Sequence, residues 1–141
     1  MKLVLDTNIY ISAFYWGGNS QKVINRIIEG IDELFITDQI INEISDVMAR
    51  PKFKTEKEII VGYINTIKNS SKKINIEGKI KGICRDKNDD DKIECAVTSE
   101  ADFLLTGDND LLVIKNYNNI RILTQKEYLD IINNSYSTLQ Q

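Results

Sequence analysis

The residues of this chain that could carry out hydrolytic chemistry are mainly carboxylates, because the 141-residue sequence contains no histidine. Without imidazole, the Ser-His-Asp and Cys-His nucleophile systems are excluded, as are histidine-bound zinc and haem. The cysteines Cys84 and Cys95 do not form a CxxC pair, and two thiols alone cannot build a zinc site. Hydrolysis would therefore depend on carboxylates, lysine, tyrosine or a bound metal ion. The candidate acids are Asp6, Glu43, Asp108 and the acidic run at residues 86–94.

Two of these acids follow apolar runs that are typical of buried strands. Asp6 closes the run at residues 2–5, and Asp108 comes just after the run at residues 102–106. The carboxyl ends of parallel strands meet at one edge of a sheet, so we expect the two carboxylates to lie close together. Like charges at that separation are costly unless they share a proton or a cation lies between them. Oxygen ligands favour a hard cation, Mg²⁺ or Mn²⁺.

The other two candidates lie on predicted helices. Glu43 is beside the apolar face of the helix that follows the second strand, where it either points into the site or remains at the surface. The acidic run 86–94 lies at a helix start, and Asp89, Asp90 and Asp91 within it are alternatives as the ligand. A calcium loop does not fit, because Asp91 occupies the position of the turn glycine and Val97 that of the closing glutamate.

The elements that must position these acids alternate between strands and helices. Apolar runs predict strands at residues 2–6, 33–37, 74–76, 102–106 and 120–123, with amphipathic helices between them. Capping-box patterns at residues 55–58 and 124–127 predict two helix starts. The sequence therefore predicts an α/β fold, a three-layer α/β/α sandwich with a central, mainly parallel sheet. We expect one domain over residues 1–133 and a frayed C-terminal tail over residues 134–141.

The compartment expected for the chain is the cytoplasm. No apolar run reaches the ~18 residues that a membrane span needs, and an apolar strand begins directly after Met1 and Lys2, without a leader. Both cysteines are expected to be reduced residues of the core.

Four segments in a fixed order resemble the PIN-domain family, within it the branch related to VapC ribonucleases. They are LVLDTN at residues 3–8, ITDQIINEI at 36–44, RDKNDDDKIECA at 85–96 and LTGDNDLL at 105–112, and the similarity spans about residues 2–132. The resemblance implies a PIN-like fold in which Asp6, Glu43, Asp90 and Asp108 bind one or two Mg²⁺ or Mn²⁺ ions. It gives auxiliary positions to Asn8, Thr106 and Asp110.

One segment departs from the pattern of that branch. That branch often has Asp-Pro-Asp-Asp at this point. In this chain, Lys87 and Asn88 replace the second and third of those residues. The departure keeps the acids and removes the proline that would stiffen the loop.

The activity that the resemblance implies is endoribonuclease cleavage by a metal-bound water, leaving 5′-phosphate and 3′-hydroxyl ends. It also implies a homodimer and, for toxin members of type II toxin–antitoxin pairs, an antitoxin partner. The alternative is a catalytically silent PIN-type module that binds RNA or regulates. A phosphoacceptor of the receiver type fits poorly. Such domains have paired acids after the first strand and a lysine after a late strand, and the segments after the corresponding strands of this chain do not supply them.

The net charge of −3 conceals an uneven distribution along the chain. Residues 1–49 carry −4, residues 50–87 carry +7 and residues 88–141 carry −6. The positive segment is either a solvated helix surface or a contact surface for RNA phosphates. The residues proposed for RNA contact are Arg50, Lys52, Lys54 and Arg85. The aromatic run at residues 14–16 either stacks on bases or packs in the core or a dimer.

Overall fold

The structure, a computed structural model, describes residues 1–140, with side chains through residue 134. The strands are β1 Lys2–Leu5, β2 Glu33–Ile36, β3 Ser71–Lys73, β4 Phe103–Leu105, β5 Asn116–Tyr117 and β6 Ile120–Leu123. The helices are α1 Thr7–Tyr15, α2 Gly18–Ile28, α3 Asp38–Met48, α4 Lys57–Asn69, α5 Lys87–Ser99, α6 Asn109–Leu112 and α7 Gln125–Gln140. A 3₁₀ helix, Pro51–Phe53, follows α3.

The strands form one sheet in the order β3-β2-β1-β4-β6-β5, parallel except for the β5–β6 pair. The chain proceeds outward from β1 to β3 and then returns to place β4 on the other side of β1. Strand order therefore reverses between β1 and β4. In open α/β sheets, the crevice at the carboxyl ends of the two strands that flank such a reversal is the usual ligand site. Asp6 follows β1 directly, and Asp108 lies shortly beyond the end of β4, after Thr106 and Gly107.

Helices cover the sheet as the fold prediction requires. Right-handed crossovers place the helices between β1 and β3 on one face and α5, which returns the chain to β4, on the other. Helix α5 packs directly against β1, β2 and β4, while α1 packs against α2 and α3. The predicted α/β fold with a central, mostly parallel sheet flanked by helices is confirmed.

The predicted third strand was misplaced by a few residues. The strand is formed by Ser71–Lys73, whereas Ile74 and Ile76 pack against the core beyond its end. This strand lies at the edge of the sheet and is largely exposed, so its polar residues carry no apolar signal. The backbone amide of Ile74 still donates to Ile36 at 2.7 Å, which continues the pairing by one bond.

The two predicted capping boxes had different outcomes. At the start of α7, the Glu127 amide donates to the Thr124 hydroxyl and the Thr124 amide donates to the Glu127 carboxylate, so this box forms. Helix α4 begins at Lys57 without a side-chain cap. The hydroxyl of Thr55 is engaged instead with Phe53 and Tyr15, so a tertiary contact replaces the local one.

The C-terminal helix bears on the predicted domain boundary. Helix α7 continues through Gln140, so the backbone of residues 134–140 is helical. The predicted tail, residues 134–141, lies partly outside the described residues. These exclude residue 141 and the side chains of residues 135–140. In the described part of the chain, no helix combines the length and hydrophobicity needed to cross a bilayer.

A buried carboxylate ties the C-terminal helix to the rest of the fold. Asp32 accepts hydrogen bonds from Arg26 Nε at 2.9 Å and from the Tyr128 hydroxyl at 2.7 Å. Burial raises the pKa of Asp32, but the hydrogen bonds from Arg26 and Tyr128 outweigh it and leave the pKa below its ordinary value. The ionised form is therefore the one that the fold stabilises.

We expect Asp32→Asn to lower the free energy of unfolding by about 2 kcal/mol at pH 7, the scale of hydrogen bonds to a charged group. The loss is full above about pH 4, the ordinary pKa of an aspartate in the unfolded chain, and shrinks as the pH falls toward the lower native pKa, at which folded Asp32 is protonated as well. Urea denaturation of both proteins, at pH 7 and at several pH values below about 4, measures this loss of stability. Asp130→Asn is the control, because this acid pairs with Lys126 at an exposed site. Equal losses in the two variants would contradict the assignment.

Candidate active site

Asp6 is the acid around which the site is built. It is 4% exposed and caps α1, accepting from the Thr7 amide through Oδ1 at 2.7 Å. Its own amide donates to Leu105 at 2.9 Å, which continues the β1–β4 pairing past the end of β1. Its other oxygen, Oδ2, accepts from the hydroxyl of Thr106 at 2.7 Å. Both carboxylate oxygens are thus fixed by groups from two adjacent strands.

Thr106 links Asp6 to Asp108. The Thr106 side chain is fully buried, donates to Asp6 and accepts from the Asp108 amide at 3.0 Å. Asp108 in turn caps the short helix α6 by accepting from the Asp110 amide at 2.9 Å. The sequence prediction that acids after β1 and β4 lie together, with Thr106 in a supporting position, is consistent with this geometry.

The centre of the acid cluster is occupied by Lys92, a residue that the sequence analysis did not single out. Its ammonium nitrogen Nζ lies 2.9 Å from Asp6 Oδ1, 3.5 Å from Glu43 Oε1 and 3.8 Å from Asp89 Oδ1. The lysine is 3% exposed. The three carboxylates come from the start of α1, the middle of α3 and the first turn of α5, so this one cation joins three parts of the chain. We name Asp6, Glu43, Asp89 and Asp108, with Lys92, the acid cluster.

The acid cluster carries more negative than positive charge. Burial raises the pKa of Asp89 to about 6; Lys92 opposes this shift, and repulsion from Asp108 and Asp6 adds to it. Burial lowers the pKa of Lys92, but attraction to Asp6, Glu43 and Asp89 raises it by a larger amount, so the pKa is above its ordinary value. Three carboxylates around one ammonium, with Asp108 close enough to Asp89 to repel it, leave a site that would favour additional positive charge.

Asp90 lies outside this cluster. Its Oδ2 accepts from the Gly82 amide at 2.9 Å and its Oδ1 accepts from the Cys84 amide at 2.7 Å. Neighbouring residues on a helix point about 100° apart, so Asp89 and Asp90 face different surroundings. The structure therefore brings Asp6, Glu43 and Asp89 together, next to Asp108, and uses the carboxylate of Asp90 to hold the loop before α5.

Glu94 holds the same loop one turn further along α5. Its carboxylate accepts from the amides of Glu77 and Gly78 through Oε2, at 2.8 and 3.0 Å, and from that of Ile80 through Oε1 at 2.8 Å. Burial raises the pKa of Glu94, but these backbone hydrogen bonds outweigh it and lower the pKa overall. Gly78 and Gly82 have positive φ angles of 73° and 74°, conformations in which glycine aims its amide at the helix without strain.

The remaining acids and polar residues named from the sequence have separate positions. Asn8 is exposed in the first turn of α1, and Asp91 is buried on a side of α5 where Lys87 and Glu94 are its main charged neighbours. Asp110 accepts from Arg85 Nη2 at 2.7 Å. Arg85 is 87% exposed and also feels the charge of Asp108, which places it at the rim of the acid cluster.

The basic residues predicted to contact RNA are exposed around the 3₁₀ helix. Within the described part of the chain, Arg50, Lys52 and Lys54 make no ion pair, and Lys52 lies over the ring of Phe53 at 5.0 Å. Tyr15 stacks on Phe53 with ring centroids 4.3 Å apart. Trp16, next to this pair, is 69% exposed. The aromatic run thus divides between packing and exposure.

Comparison with known sequences identifies the family. A sequence profile of the PIN domain matches residues 2–110. The chain belongs to the PIN-domain family. Its fold is similar to that of a chain in the crystal structure of VapBC2 from Rickettsia felis bound to a DNA fragment from their promoter, with a TM-score of 0.56 and 15% identity over 86% of this chain and 97% of that one. No curated protein matches the sequence.

The PIN fold implies a divalent ion, and the donor set of this PIN domain suits one. Oxygen-only ligands with excess negative charge favour Mg²⁺ or Mn²⁺ over softer metals. Among the residues that the structure describes, however, no three acidic or cysteine side chains are already arranged to hold an ion. The carboxylates of Asp6, Glu43 and Asp89 surround the Lys92 ammonium instead.

We expect Glu94→Gln to lower the free energy of unfolding by about 1–3 kcal/mol at pH 7, because the amide keeps only one oxygen for three backbone donors. The native pKa of Glu94 is lowered, so the difference from wild type is full above about pH 5 and disappears as the pH falls through the native pKa. Urea denaturation checks the size and the pH dependence. Glu58→Gln, at an exposed site on α4, is the control and should change stability by less than about 0.5 kcal/mol.

Proposed function

We propose that this PIN domain is a Mg²⁺- or Mn²⁺-dependent endoribonuclease. The observation that carries the proposal is the convergence of Asp6, Glu43 and Asp89 on one cation, with Asp108 beside them, at the reversal point of the sheet. A cluster of carboxylates this close is costly to a fold and is found where a cation is bound. Without histidine, such a site is the route to phosphodiester hydrolysis that the chain offers.

In this proposal, Asp6, Glu43, Asp89 and Asp108 hold the ion. When bound, a divalent ion lowers the pKa of a water ligand and neutralises charge on the phosphate. The Thr106 hydroxyl orients Asp6 by donating to Oδ2, which leaves Oδ1 directed at the cluster. Asp108 is held by its amide contact to Thr106 and its cap on α6. Asp90, the acid first assigned as a ligand, keeps a positioning role through the loop.

The RNA backbone would be held by the basic groups around the acids. Arg85 is placed at the rim of the acid cluster by its ion pair with Asp110, where a guanidinium can contact a phosphate next to the scissile one. Just after the end of α3, the helix that carries Glu43, lie the cations Arg50, Lys52 and Lys54, which form no ion pair with any other residue that the structure describes. Trp16 offers an exposed ring for a base.

A role as the toxin of a type II toxin–antitoxin pair is supported by the fold that this chain has in common with the VapBC2 complex. We propose that the chain acts in the cytoplasm as a homodimer and that an antitoxin covers the acid cluster. The second candidate function is a catalytically silent RNA-binding module. The specific observation that favours it is Lys92, which neutralises part of the acid cluster from within.

The first test separates the two functions and the two neighbouring aspartates. We expect wild-type protein with Mn²⁺ or Mg²⁺ to cleave single-stranded RNA, and EDTA to stop the reaction. Asp6→Asn and Asp89→Asn should each reduce the cleavage rate by at least about a hundredfold, because each removes a carboxylate that holds the ion and its charge. Asp90→Asn should reduce it far less and mainly lower the thermal midpoint.

Cleavage is followed on a 5′-labelled oligonucleotide with repurified variants and an RNase inhibitor, and circular dichroism checks folding. RNA binding without metal-dependent cleavage would support the silent module. A larger loss of activity in Asp90→Asn than in Asp89→Asn, at equal folding, would return the ligand assignment to Asp90.

The second test addresses the phosphate contacts. Replacing Arg50, Lys52 and Lys54 together with glutamine should reduce the slope of log affinity against log salt by about 2, since each contact to single-stranded RNA contributes about 0.7. Fluorescence anisotropy between 50 and 300 mM KCl measures the slope. The matched control, Lys72, Lys73 and Lys126 to glutamine, removes the same charge from exposed lysines that are already paired with acids. Equal slopes in both triple variants would exclude a specific basic surface.

A further inference from the structure

We propose that Lys92 is a built-in competitor of the metal ion: its ammonium occupies the position of the divalent cation in the metal-free protein and must leave when the ion binds. This inference rests on the proposed function, because it concerns the same four acids. It adds a regulatory feature that the metal site alone does not have, namely that the resting site is already neutralised in part by a residue of its own.

The geometry supports this assignment. An ammonium between three carboxylate oxygens from three separate elements, at 2.9, 3.5 and 3.8 Å, is in the position where an ion shared by those carboxylates would lie. Among the described residues, no three acids or cysteines, these acids included, are already arranged to hold a metal ion. The cation that the cluster needs is therefore supplied by the chain in this conformation.

Burial makes the competition strong. Lys92 is 3% exposed, and an unpaired lysine is not tolerated at such a site. The α5 backbone that carries it is fixed by the loop contacts of Asp90 and Glu94, so the ammonium can leave only by rotation of its own side chain. An incoming ion must replace this ion-pair energy before it gains its own, which lowers its apparent affinity.

The charges explain why a divalent ion can still displace the ammonium. One ammonium balances one negative charge, whereas three carboxylates, those of Asp6, Glu43 and Asp89, lie within 4 Å of it. A divalent ion supplies twice the charge at shorter distances, so it is favoured once its concentration is high enough. The lysine thus sets a threshold for metal binding without abolishing it.

The test is the affinity of the intact chain for Mn²⁺, measured by electron paramagnetic resonance of the free ion. In Lys92→Met, which keeps a side chain of similar length without the charge, we expect the Kd to fall at least about tenfold, because a competing unit charge is removed from the cluster. Lys126→Met changes the net charge equally at an exposed ion pair and should leave the Kd unchanged. An unchanged or higher Kd in Lys92→Met overturns the inference.

A second readout covers the case in which Lys92→Met folds poorly. In wild-type protein, the side-chain ammonium of a buried, paired lysine gives a protected ¹⁵N–¹H signal, assigned here as the peak that is missing in Lys92→Arg. We expect this signal to shift or broaden as Mg²⁺ is added, in step with binding. Saturation with Mg²⁺ that leaves the signal unchanged would mean that the ion and the lysine share the site, which also overturns the inference.

These outcomes are separable from failure of the proposed function. If wild type binds Mn²⁺, Asp6→Asn does not, and Lys92→Met binds no more tightly, the metal site stands and only the competition is rejected. If Mn²⁺ binds neither wild type nor Lys92→Met, both the metal-dependent activity and this inference fail. If only Lys92→Met binds Mn²⁺, the competition is supported in its strongest form, and the wild-type chain is the silent module.

Discussion

Repulsion between carboxylates at the carboxyl end of β1 and β4 is the constraint on which the rest of this structure depends. Asp6 and Asp108 follow adjacent parallel strands, and the fold adds Glu43 from α3 and Asp89 from α5 to the same place. Like charges this close need compensation. The chain supplies it through Lys92 at the centre and the Thr106 hydroxyl at one side, so the polar interior is held by opposite charge and directed hydrogen bonds.

Helix α5 performs two tasks with residues that are adjacent in sequence. Asp89 and Lys92, three residues apart, face the acid cluster, while Asp90 and Glu94, four residues apart, face the preceding loop. Residues at these separations lie on one side of a helix, which explains how an unbroken acidic run serves two different surroundings. Every residue from Asp89 to Ala96 is buried as a result, although five of the eight are charged.

The sequence predicted the placement of Asp6 and Asp108 because a rule of topology covers it: acids after parallel strands meet at one edge. It also predicted the fold, since alternating apolar runs and amphipathic helices leave few arrangements. Which of Asp89 and Asp90 faces Asp6 could not be predicted, because neighbouring residues on a helix point about 100° apart and tertiary packing sets the rotation of α5. The edge strand Ser71–Lys73 was missed because exposed strands carry no apolar pattern.

The role of Lys92 was not predicted, although its position in the sequence contains a signal for it. Lys92 lies directly before Ile93, on a helix that also carries Cys95 and Ala96, and a lysine that is buried with such residues needs a charged partner. The acidic residues around it indicate a helix start, which by itself does not require burial. Predicting it needed the burial of the whole helix, and that follows only once α5 is known to pack against β1, β2 and β4.

The loop before α5 has a consequence for how this protein can diversify. Asp90 and Glu94 bind the loop through backbone amides, so the contacts do not depend on which side chains the loop carries, apart from the two glycines. Lys79, Lys81 and Ile83 are exposed there and are free to change. Substitutions in this loop can therefore change the surface beside the acids one residue at a time. The backbone contacts of Asp90 and Glu94, which hold the loop against α5, would remain.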